Sequence, residues 1–374
     1  MKKRIVFITG TRADFGKIKS LINRLLEHSD HEIHIFVTGM HMLSKYGYTC
    51  DEVEKCGYNN IYKYINQNYN DTMDTVLAKT VAGFSDYVKE MKPDMIVVHG
   101  DRVEAMACSL VGCLNNILIA HIEGGEVSGT IDELIRHAVS KVSQLHFVSN
   151  EEAKKRLIQL GEREDTIYTI GSPDMDIMNS DTLPDIEKVK SYYEIPFEQY
   201  AILLFHPVTT DTARLRGQCH SFLKALVKSN HNYVVIYPNN DHGSEIILEE
   251  YEQLKGNKAF RVFPSMRFEY FLTLMKHSDF VIGNSSAGVR EAPYYGVPSI
   301  NVGDRQKNRA SAPTILNTDF RLENILDSIE QAPKIHRETM QDFGKGGSDV
   351  KFCDILNTEA VWETSNQKYF IDIL

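Results

Sequence analysis

The sequence predicts an α/β protein made of two Rossmann-like, doubly wound domains that face each other across a cleft. Short apolar runs alternate with amphipathic stretches of helical length along most of the chain. This alternation is typical of βαβ units around a parallel sheet. At roughly 150 residues per domain, 374 residues are enough for two such domains. The alternation breaks over residues 171–199, which contain one glycine and three prolines, so the domain junction is expected there.

The predicted strands are short runs of mostly apolar residues, many of them β-branched or aromatic. They are Arg4–Ile8, Glu32–Val37, Met95–His99, Leu118–Ile122 and Leu145–Val148 before the junction, and Ala201–Phe205, Tyr233–Tyr237, Phe260–Phe263, Phe280–Ile282 and Ser299–Val302 after it. The predicted helices show apolar residues at helical spacing. They are Ala13–Leu26, Asp74–Met91, Arg102–Leu114, Ile131–Val142, Glu151–Leu160, Asp185–Tyr193, His220–Lys228, Ser244–Leu254, Arg267–Lys276 and Ala287–Tyr295.

Charge and hydropathy exclude several functional classes. The net charge is −10, which argues against nucleic acid or an anionic membrane as the main partner. Mean hydropathy is −0.30, and no apolar run approaches the ~20 residues of a membrane span. The apolar run Ile5–Ile8 is too short for a signal peptide, so a cytoplasmic protein is expected. The six cysteines form no CxxC pair and are interpreted as reduced thiols.

Residues able to bind a ligand follow nearly every predicted strand. In an open α/β sheet, these positions line the ligand crevice. The segments are Thr9–Asp14, His99–Arg102, His121–Glu126, His206–Thr210, Pro238–Asp241 and Gly283–Glu291. Because they concentrate glycine, charge and hydroxyl groups, they predict a ligand site rather than a purely structural protein.

The segment Gly283–Glu291 has the composition of an anion site. Small residues between a strand and a helix leave backbone N–H groups accessible to a diphosphate, and Ser285, Ser286 and Gly288 are the candidates here. Arg12 supplies a positive charge, and Glu291 is placed to accept hydroxyls of a ribose. The alternative interpretation is an ordinary serine N-cap followed by a solvated glutamate.

Three carboxylates, Asp101, Glu123 and Asp132, are candidates for proton transfer. Asp101 and Glu123 follow two different strands, Glu126 lies in the same glycine-flanked loop as Glu123, and Asp132 stands near the start of the next helix. Acids around one pocket suit chemistry with a developing cation, and their clustering raises the pKa of at least one. For Asp132 and Arg136 the alternative is an i,i+4 ion pair at the surface.

Histidines at positions 99, 121, 137, 146 and 206 raise the question of a metal. The sequence contains no HExxH, no paired Cys/His spacing and no Asp-x-Asp of metal-dependent sugar-nucleotide transferases, so no catalytic metal is expected. Of the five, His206 is the preferred functional candidate because it ends a strand of the second predicted domain.

Taken together, these segments closely resemble the hydrolysing UDP-N-acetylglucosamine 2-epimerases of bacterial sialic-acid synthesis. The likeness runs from about residue 4 to the C-terminus. It is carried by Thr-Gly-Thr-Arg-Ala-Asp (9–14), His-Gly-Asp-Arg (99–102), His-Ile-Glu-Gly-Gly-Glu-Val-Ser-Gly-Thr-Ile-Asp (121–132), Ile-Arg-His (135–137), His-Pro-Val-Thr-Thr (206–210) and Gly-Asn-Ser-Ser-Ala-Gly-Val-Arg-Glu (283–291). Non-hydrolysing relatives carry Pro-Glu where this chain has Ala13-Asp14, which favours the hydrolysing branch.

The resemblance implies a glycosyltransferase-B-like fold. The first domain would span residues 1–180 and carry the catalytic acids, the second would span 181–355 and bind UDP, and a C-terminal helix at about 356–374 would return to the first. The implied partners are UDP-N-acetylglucosamine, UDP and N-acetylmannosamine, with no cofactor. The implied assembly is a homodimer, with a homotetramer as the alternative, in an enzyme of capsule polysaccharide synthesis.

The implied reaction is hydrolysis with epimerisation at C2, by elimination of UDP to a glycal and rehydration. Asp101, Glu123, Asp132 and His206 are the expected catalytic residues. The expected UDP-sugar-binding residues are Arg12, Arg136, Asn240, Ser285, Ser286, Gly288 and Glu291. Which carboxylate is the base and which the acid stays open.

Three alternatives remain at this point. The same 2-epimerisation acting on UDP-N,N'-diacetylbacillosamine differs only in the C4 and C6 substituents of the sugar. A glycosyltransferase of the same fold would use the same nucleotide site with a separate acceptor. A non-catalytic nucleotide-sugar sensor would keep Glu291 and the serines without needing all three acids.

Overall fold

The chain folds into two compact units. The structure is a computed structural model that describes residues 2–128, 130–209, 211–306, 309 and 311–372. The first unit comprises the residues up to Glu126, Asp132–Ser180 and the residues from Asp342 on, and the second comprises Val127–Ile131 and Asp181–Gln341. The motif residues Gly129 and Thr210 lie outside the described residues.

The strands of each unit form one parallel sheet. They are β1 Arg4–Thr9, β2 Glu32–Val37, β3 Ile61–Lys63, β4 Met95–His99, β5 Leu118–Ile122, β6 Leu145–Val148, β7 Ile167–Thr169, β8 Ala201–Leu204, β9 Tyr233–Ile236, β10 Phe260–Phe263, β11 Val281–Gly283, β12 Ser299–Val302 and β13 Ile315–Thr318. The first sheet has the order β3-β2-β1-β4-β5-β6-β7, and the second has the order β10-β9-β8-β11-β12-β13.

The strand order places one switch point in each sheet. The chain continues to one side of β1 as far as β3 and then crosses to β4 on the other side, and it does the same around β8 before β11. Ligands of open α/β sheets bind outside the carboxyl ends of the strands at such a point. The ends of β1 and β4, and those of β8 and β11, are therefore the positions where a ligand is expected.

The helices are α1 Arg12–His28, α2 Cys50–Glu54, α3 Met73–Met91, α4 Val103–Leu114, α5 Ile131–Val142, α6 Glu151–Gln159, α7 Asp174–Met178, α8 Ile186–Tyr192, α9 Thr212–Lys228, α10 Ser244–Tyr251, α11 Phe268–Lys276, α12 Glu291–Tyr294, α13 Leu322–Gln331, α14 Ser348–Leu356 and α15 Glu359–Trp362.

The ten predicted strands are confirmed, with ends that differ by one residue at most. Strands β3, β7 and β13 were not predicted, and all three lie at sheet edges.

Each sheet is covered by helices that complete a buried core. In the first unit, Phe352 of α14 packs edge-on against Phe7 of β1 and Phe147 of β6, with ring centroids 6.2 and 4.7 Å apart. In the second unit, Phe205 lies beside Phe222 of α9, with centroids 5.1 Å apart. Through Phe352, α14 is part of the first core. Fully burying a phenylalanine side chain stabilises the folded state by roughly 1.5–3 kcal/mol.

The predicted C-terminal helix at 356–374 is wrong in its position. The chain returns to the first unit from Asp342, and its main helix is α14, which is followed by the single turn α15 and by residues 363–372 without helix or strand. The start of α14 is held by a residue of α7. The Asp176 carboxylate accepts hydrogen bonds from the backbone N–H groups of Ser348 and Asp349, at 2.9 and 3.0 Å. This contact caps α14 from outside the helix, and no local pattern announces it.

The predicted helix Ala287–Tyr295 is also wrong, because the structure divides it. Ser286–Gly288 form a 3₁₀ turn, and the helical turn α12 starts only at Glu291. Pro293 has no N–H to donate and is tolerated only in the first turn of a helix. Glu291 is therefore the first helical residue, rather than a residue one or two turns inside a longer helix.

No helix in the described ranges combines the length and apolar composition that a membrane span requires. All six cysteines are free thiols, and Cys50, Cys108, Cys219 and Cys353 are buried.

Candidate active site

Asp101 lies at the switch point of the first sheet and pairs with Arg136. The Arg136 guanidinium of α5 donates one hydrogen bond to the Asp101 carboxylate and another, of 3.1 Å, to the Glu126 carbonyl. Burial of Arg136 acts to lower its pKa, but the negative charges of Asp101 and Glu126 outweigh this effect and raise the pKa. Arg136 is only 1% exposed, so the alternative of a solvated surface pair is wrong. A buried, permanently charged guanidinium fixes the position of Asp101.

Glu123 follows β5, the neighbour of β4, in a conformation that few residues adopt. Its φ is +63°, in the left-handed region, and its side chain is buried. Glu123 Oε2 lies 3.1 Å from Nε2 of His99, the last residue of β4. Its Oε1 accepts a hydrogen bond from the Ser172 hydroxyl. A buried carboxylate on a strained backbone, held at both oxygens, is typical of a functional position.

The two glycines after Glu123 allow its turn to pack closely against neighbouring helices. A Cβ at Gly125, where φ is +76°, would lie 2.2 Å from the Ala153 carbonyl oxygen, and a Cβ at Gly124 would lie 2.8 Å from Ser140 Oγ. These distances are shorter than real Cβ contacts, so only glycine fits. The close packing holds the loop in place, and Glu126 within it accepts a 2.9 Å hydrogen bond from Ser149.

Asp132 and Arg12 complete the predicted set in the first unit. Asp132 is half-buried in the first turn of α5, where the helix dipole favours a carboxylate. Arg12 Nη2 lies 3.7 Å from Glu52 Oε1 of α2. The N–H groups of Gly10 and Thr11 donate to Asp14, which caps α1. The Asp14 carboxylate therefore already accepts the hydrogen bonds of these two N–H groups.

His206 follows β8 and is held in one orientation by two neighbours. Its backbone N–H donates a 2.7 Å hydrogen bond to the Asn284 side chain, which donates one of 2.8 Å back to the His206 carbonyl. The Asn239 backbone N–H lies 3.2 Å from His206 Nδ1 and donates to it. A ring that accepts at Nδ1 carries its hydrogen on Nε2, so neutral His206 presents a hydrogen-bond donor at Nε2.

The segment after β11 brings the predicted diphosphate residues together. Gly283 has a φ of +140°, and a Cβ there would lie 1.8 Å from the Leu204 carbonyl oxygen, so β11 approaches β8 closely. Ser285, which caps the 3₁₀ turn, and Ser286 and Gly288 within it are partly exposed, whereas Glu291 is buried. Asn240 is partly exposed in the loop between β9 and α10.

Sequence reasoning missed several residues that support these sites. Arg305 Nη1 and Gln306 Nε2 both donate to the Asn284 carbonyl, at 3.2 and 3.0 Å. Ser172 and Asp174 lie behind Glu123, and Lys17 lies 2.7 Å from Asp174. Ser172 and Asp174 could have been suspected because they closely follow the turn glycine Gly171. That segment was interpreted only as the domain junction.

Two of the other histidines have structural contacts that occupy the ring. The His121 Nε2–H donates to the Gly100 carbonyl at 2.8 Å, and Nδ1 lies 3.0 Å from Ser140 Oγ, while burial lowers the His121 pKa to about 3. His146 Nε2 lies 3.0 Å from Glu162, and burial lowers the His146 pKa as well. Within the described part of the chain, no group of three His, Cys, Asp or Glu residues is placed to hold a metal ion.

Comparison with known proteins gives one family and consistent relatives. The family model described as UDP-N-acetylglucosamine 2-epimerase matches residues 23–357. A UDP-N-acetylglucosamine 2-epimerase of Neisseria meningitidis serogroup B is 48% identical over 99% of both chains. The polysialic acid biosynthesis protein P7 of Escherichia coli is 34% identical over 87% of this chain and 85% of its own. A hydrolysing UDP-N,N'-diacetylbacillosamine 2-epimerase of Legionella pneumophila is 32% identical over 96% of both chains.

A solved structure confirms the predicted fold class. The crystal structure of a UDP-GlcNAc 2-epimerase from Neisseria meningitidis bound to UDP-GlcNAc aligns with a TM-score of 0.79 and 19% identity, covering 94% of this chain and 99% of its own. The two parallel-sheet α/β units are therefore those of a glycosyltransferase-B-like protein.

Proposed function

The chain belongs to the UDP-N-acetylglucosamine 2-epimerase family, and we propose that it converts UDP-N-acetylglucosamine and water to N-acetylmannosamine and UDP. The observation that carries this proposal is the pair of carboxylates on adjacent strand ends. Asp101 is held by a buried arginine, and Glu123 is held between His99 and Ser172. The relative of 48% identity over nearly the whole chain supports the substrate.

The chemistry of the sugar explains why more than one acid is needed. The hydrogen at C2 is not acidic, because no carbonyl group lies next to that carbon. Departure of UDP from C1 develops oxocarbenium character, which makes the C2 proton removable and gives a glycal. In the α-linked gluco sugar, the C1–O and C2–H bonds point to opposite faces, so the elimination is anti. Water then adds at C1, and a proton returns to C2 from the other face.

This sequence of steps requires a base on one face of the sugar and an acid on the other. Asp101, Glu123 and Asp132 are the proposed set, because they occupy the ends of β4 and β5 and the start of α5. Arg136 fixes Asp101 by ion pairing, and we assign it to the sugar side of the site together with these acids. Groups of this kind contribute about 10²–10⁴-fold to rate.

The second unit is assigned to the nucleotide. His206 presents its Nε2–H to the leaving diphosphate and stabilises the charge that develops there. Ser285, Ser286 and Gly288, with Arg12, bind the diphosphate. Glu291 accepts the ribose hydroxyls, and Asn240 belongs to the same UDP-sugar contacts. Elimination and hydration balance without a redox cofactor.

We place this reaction at the first step of sialic-acid synthesis for a capsule polysaccharide. The E. coli relative named for polysialic acid biosynthesis supports this place. We further propose a homodimer, with a homotetramer as the alternative, that acts in the cytoplasm. The six free thiols fit a reducing compartment.

The second candidate substrate is UDP-N,N'-diacetylbacillosamine. The Legionella pneumophila relative named for that substrate covers 96% of both chains, which favours keeping it in the test. The proposed C1–C2 chemistry is the same for both sugars, so the two differ only in how the protein treats the C4 and C6 substituents.

Proton NMR of both UDP-sugars in D₂O tests the proposal. UDP-N-acetylglucosamine should give UDP and N-acetylmannosamine with one deuterium at C2, since the returning proton comes from solvent. Turnover of the bacillosamine sugar alone would favour the second candidate. Product without deuterium at C2 would exclude the elimination mechanism, and release of UDP only in the presence of an acceptor alcohol would indicate a glycosyltransferase.

A further inference from the structure

A buried row of hydrogen-bonding side chains lies behind the turn that carries Arg12. Thr49 Oγ1 lies 2.7 Å from Nδ1 of His41, and His41 Nε2 lies 3.0 Å from Oγ1 of Thr9. The Thr9 hydroxyl contacts the carboxylate of Asp14 in the first turn of α1. His41 has no exposed surface. The row therefore connects the residue that precedes α2 to the turn between β1 and α1.

The direction of the hydrogen bonds along this row follows from its last member. Both Asp14 oxygens face backbone N–H groups, at 3.0 Å from Gly10 and 3.1 Å from Thr11, and these groups can only donate. Asp14 is therefore an acceptor at both oxygens, and Thr9 donates its hydroxyl hydrogen to it. Because Thr9 has no second hydrogen, the Nε2–H group of His41 donates the bond between His41 and Thr9.

The other ring nitrogen of His41 is then an acceptor. Burial of the ring lowers the His41 pKa to about 4, so the ring is neutral at neutral pH and carries its one hydrogen on Nε2. Nδ1 accepts a hydrogen bond from the Thr49 hydroxyl. The hydrogen bonds therefore run in one direction, from Thr49 through His41 and Thr9 to Asp14.

The main chain of His41 lies on the same turn. Its backbone N–H donates a 3.2 Å hydrogen bond to the Gly10 carbonyl, and its ring lies edge-on to Phe15 of α1, with centroids 6.2 Å apart. The backbone contact does not depend on the side chain, so it is kept when the ring is replaced. The ring adds the link between this turn and Thr49.

Arg12 and Glu52 lie on the two segments that the row joins. Arg12 is the first residue of α1, and Glu52 belongs to α2, which starts directly after Thr49. Arg12 Nη2 lies 3.7 Å from Glu52 Oε1, an ion pair that is longer than a hydrogen bond. Arg12 Nε makes no hydrogen bond to any residue that the structure describes. The guanidinium therefore keeps donor capacity that an anion can use.

We propose that His41 is a positioning residue for Arg12: by joining Thr9 to Thr49, it fixes the turn from which Arg12 binds the diphosphate. This inference rests on the proposed function, which assigns Arg12 to the diphosphate, and it adds the residue that orients the turn. His41 touches no substrate atom in this role and transfers no proton. Its loss should therefore weaken UDP binding and leave kcat at saturating substrate nearly unchanged.

The first test is UDP affinity, measured by calorimetry. His41→Asn shortens the side chain so that it no longer bridges Thr9 and Thr49, and it should weaken UDP binding by about tenfold, with kcat within about twofold of wild type. Thr49→Val keeps the shape of threonine without its hydroxyl and should weaken binding by about threefold. Thr49→Ser keeps the hydroxyl and should bind UDP as wild type does.

A double-mutant cycle tests whether His41 acts through Arg12. Arg12→Ala should weaken UDP binding by itself, because it removes a positive charge from the diphosphate. In that background, His41→Asn should weaken binding by less than about twofold more, since the guanidinium that it positions is gone. A merely structural role of His41 would leave its full effect in both backgrounds.

His34→Asn is the matched control. His34 is a buried histidine of β2 whose Nε2 lies 2.7 Å from Glu32 Oε1, so this variant should lose stability but bind UDP normally. Wild-type UDP affinity in folded His41→Asn, or an undiminished effect of His41→Asn in the Arg12→Ala background, would overturn the inference.

The Thr49 variants decide the question by themselves if His41→Asn does not fold. Equal UDP affinity in Thr49→Val and Thr49→Ser would then overturn the inference, and a loss confined to Thr49→Val would support it. Unchanged UDP affinity in Arg12→Ala would instead remove Arg12 from the diphosphate site. A wild-type protein that does not convert the UDP-sugar would refute the proposed function as a whole.

Discussion

The two sheets share a switch-point topology but carry different chemistry at their carboxyl ends. In the first unit, the ends of β4 and β5 carry Asp101 and Glu123, each held by a charged or ionisable partner. In the second, the ends of β8 and β11 carry His206 and Ser285, ordered by backbone and amide groups around Asn284. Under the proposed function, the first edge transfers protons and the second presents hydrogen-bond donors.

This difference shows how one topology serves two tasks. Parallel strands bring whatever follows them to the same edge, so topology selects positions and leaves the chemistry to side chains. Carboxylates need buried partners to keep a defined charge, hence Arg136 and Ser172. An anion needs small residues and oriented N–H groups, hence Gly283 and Asn284. The division predicts that substitutions at the first edge reduce kcat and that those at the second, apart from His206, mainly weaken nucleotide binding.

The largest effect is expected at the first edge. Glu123→Gln, Asp101→Asn and Asp132→Asn should each lower kcat by at least ~100-fold, because each removes a group that exchanges a proton or holds its charge. UDP affinity, measured by calorimetry, should stay within about threefold of wild type, since none of the three acids is among the assigned nucleotide contacts.

Glu133→Gln is the matched control for these variants. Glu133 follows Asp132 in α5 but is partly exposed and pairs with His137 at 3.4 Å. Its turnover should equal that of wild type. Near-normal turnover in all three acid variants would break the assignment of proton chemistry to this edge.

A smaller effect on kcat is expected for His206, which follows β8 at the second edge. His206→Asn removes the Nε2–H donor and should lower kcat by about 10–100-fold, as loss of a donor to developing charge does. Asn239→Ala keeps the backbone N–H that orients the ring, so its kcat should stay near wild type. Steady-state kinetics of both variants measure the difference, and equal losses would contradict the orientation of His206.

Glu291→Gln should affect binding more than chemistry. A buried carboxylate that accepts two ribose hydroxyls loses about tenfold in UDP affinity as an amide, since hydrogen bonds to a charged acceptor are the stronger ones. Glu245→Gln, at an exposed position in the first turn of α10, is the control and should bind UDP normally. Calorimetric titration with UDP separates the two. A loss of kcat without a loss of UDP affinity would remove Glu291 from the nucleotide site.

Sequence patterns predicted the central strands of each sheet and the edge strand β10, and missed the other three edge strands, β3, β7 and β13. Central strands such as β1 and β4 are continuous apolar runs, because both faces are buried. The edge strands β3 and β13 are short and partly exposed, so their composition resembles that of loops. The same reason applies to the candidate site. Glu123 and His206 follow predicted strands and could be proposed from the sequence, whereas Ser172 contacts Glu123 only in the folded chain.

The buried histidines of the first unit predict how pH affects the stability of the folded protein. His41, His121 and His146 all lie in the first unit, and burial lowers each pKa, to about 4 for His41 and about 3 for His121. A lowered pKa means that the unfolded chain binds a proton below pH 6.5 while the folded protein does not. Stability is therefore complete above that pH and falls as the pH decreases towards the folded value.

For His121 the loss is about 1.4 kcal/mol per pH unit, or about 2 kcal/mol at pH 5. His121→Asn removes the titrating group, so its free energy of unfolding should decrease less than that of wild type between pH 7.5 and pH 5.0. Urea unfolding at the two pH values gives this difference independently of the packing cost of the substitution, which is present at both. His220→Asn, at an exposed position in α9 of the second unit, should keep the wild-type pH dependence. If His121→Asn kept it too, the acid sensitivity of the first unit would not arise from this buried ring.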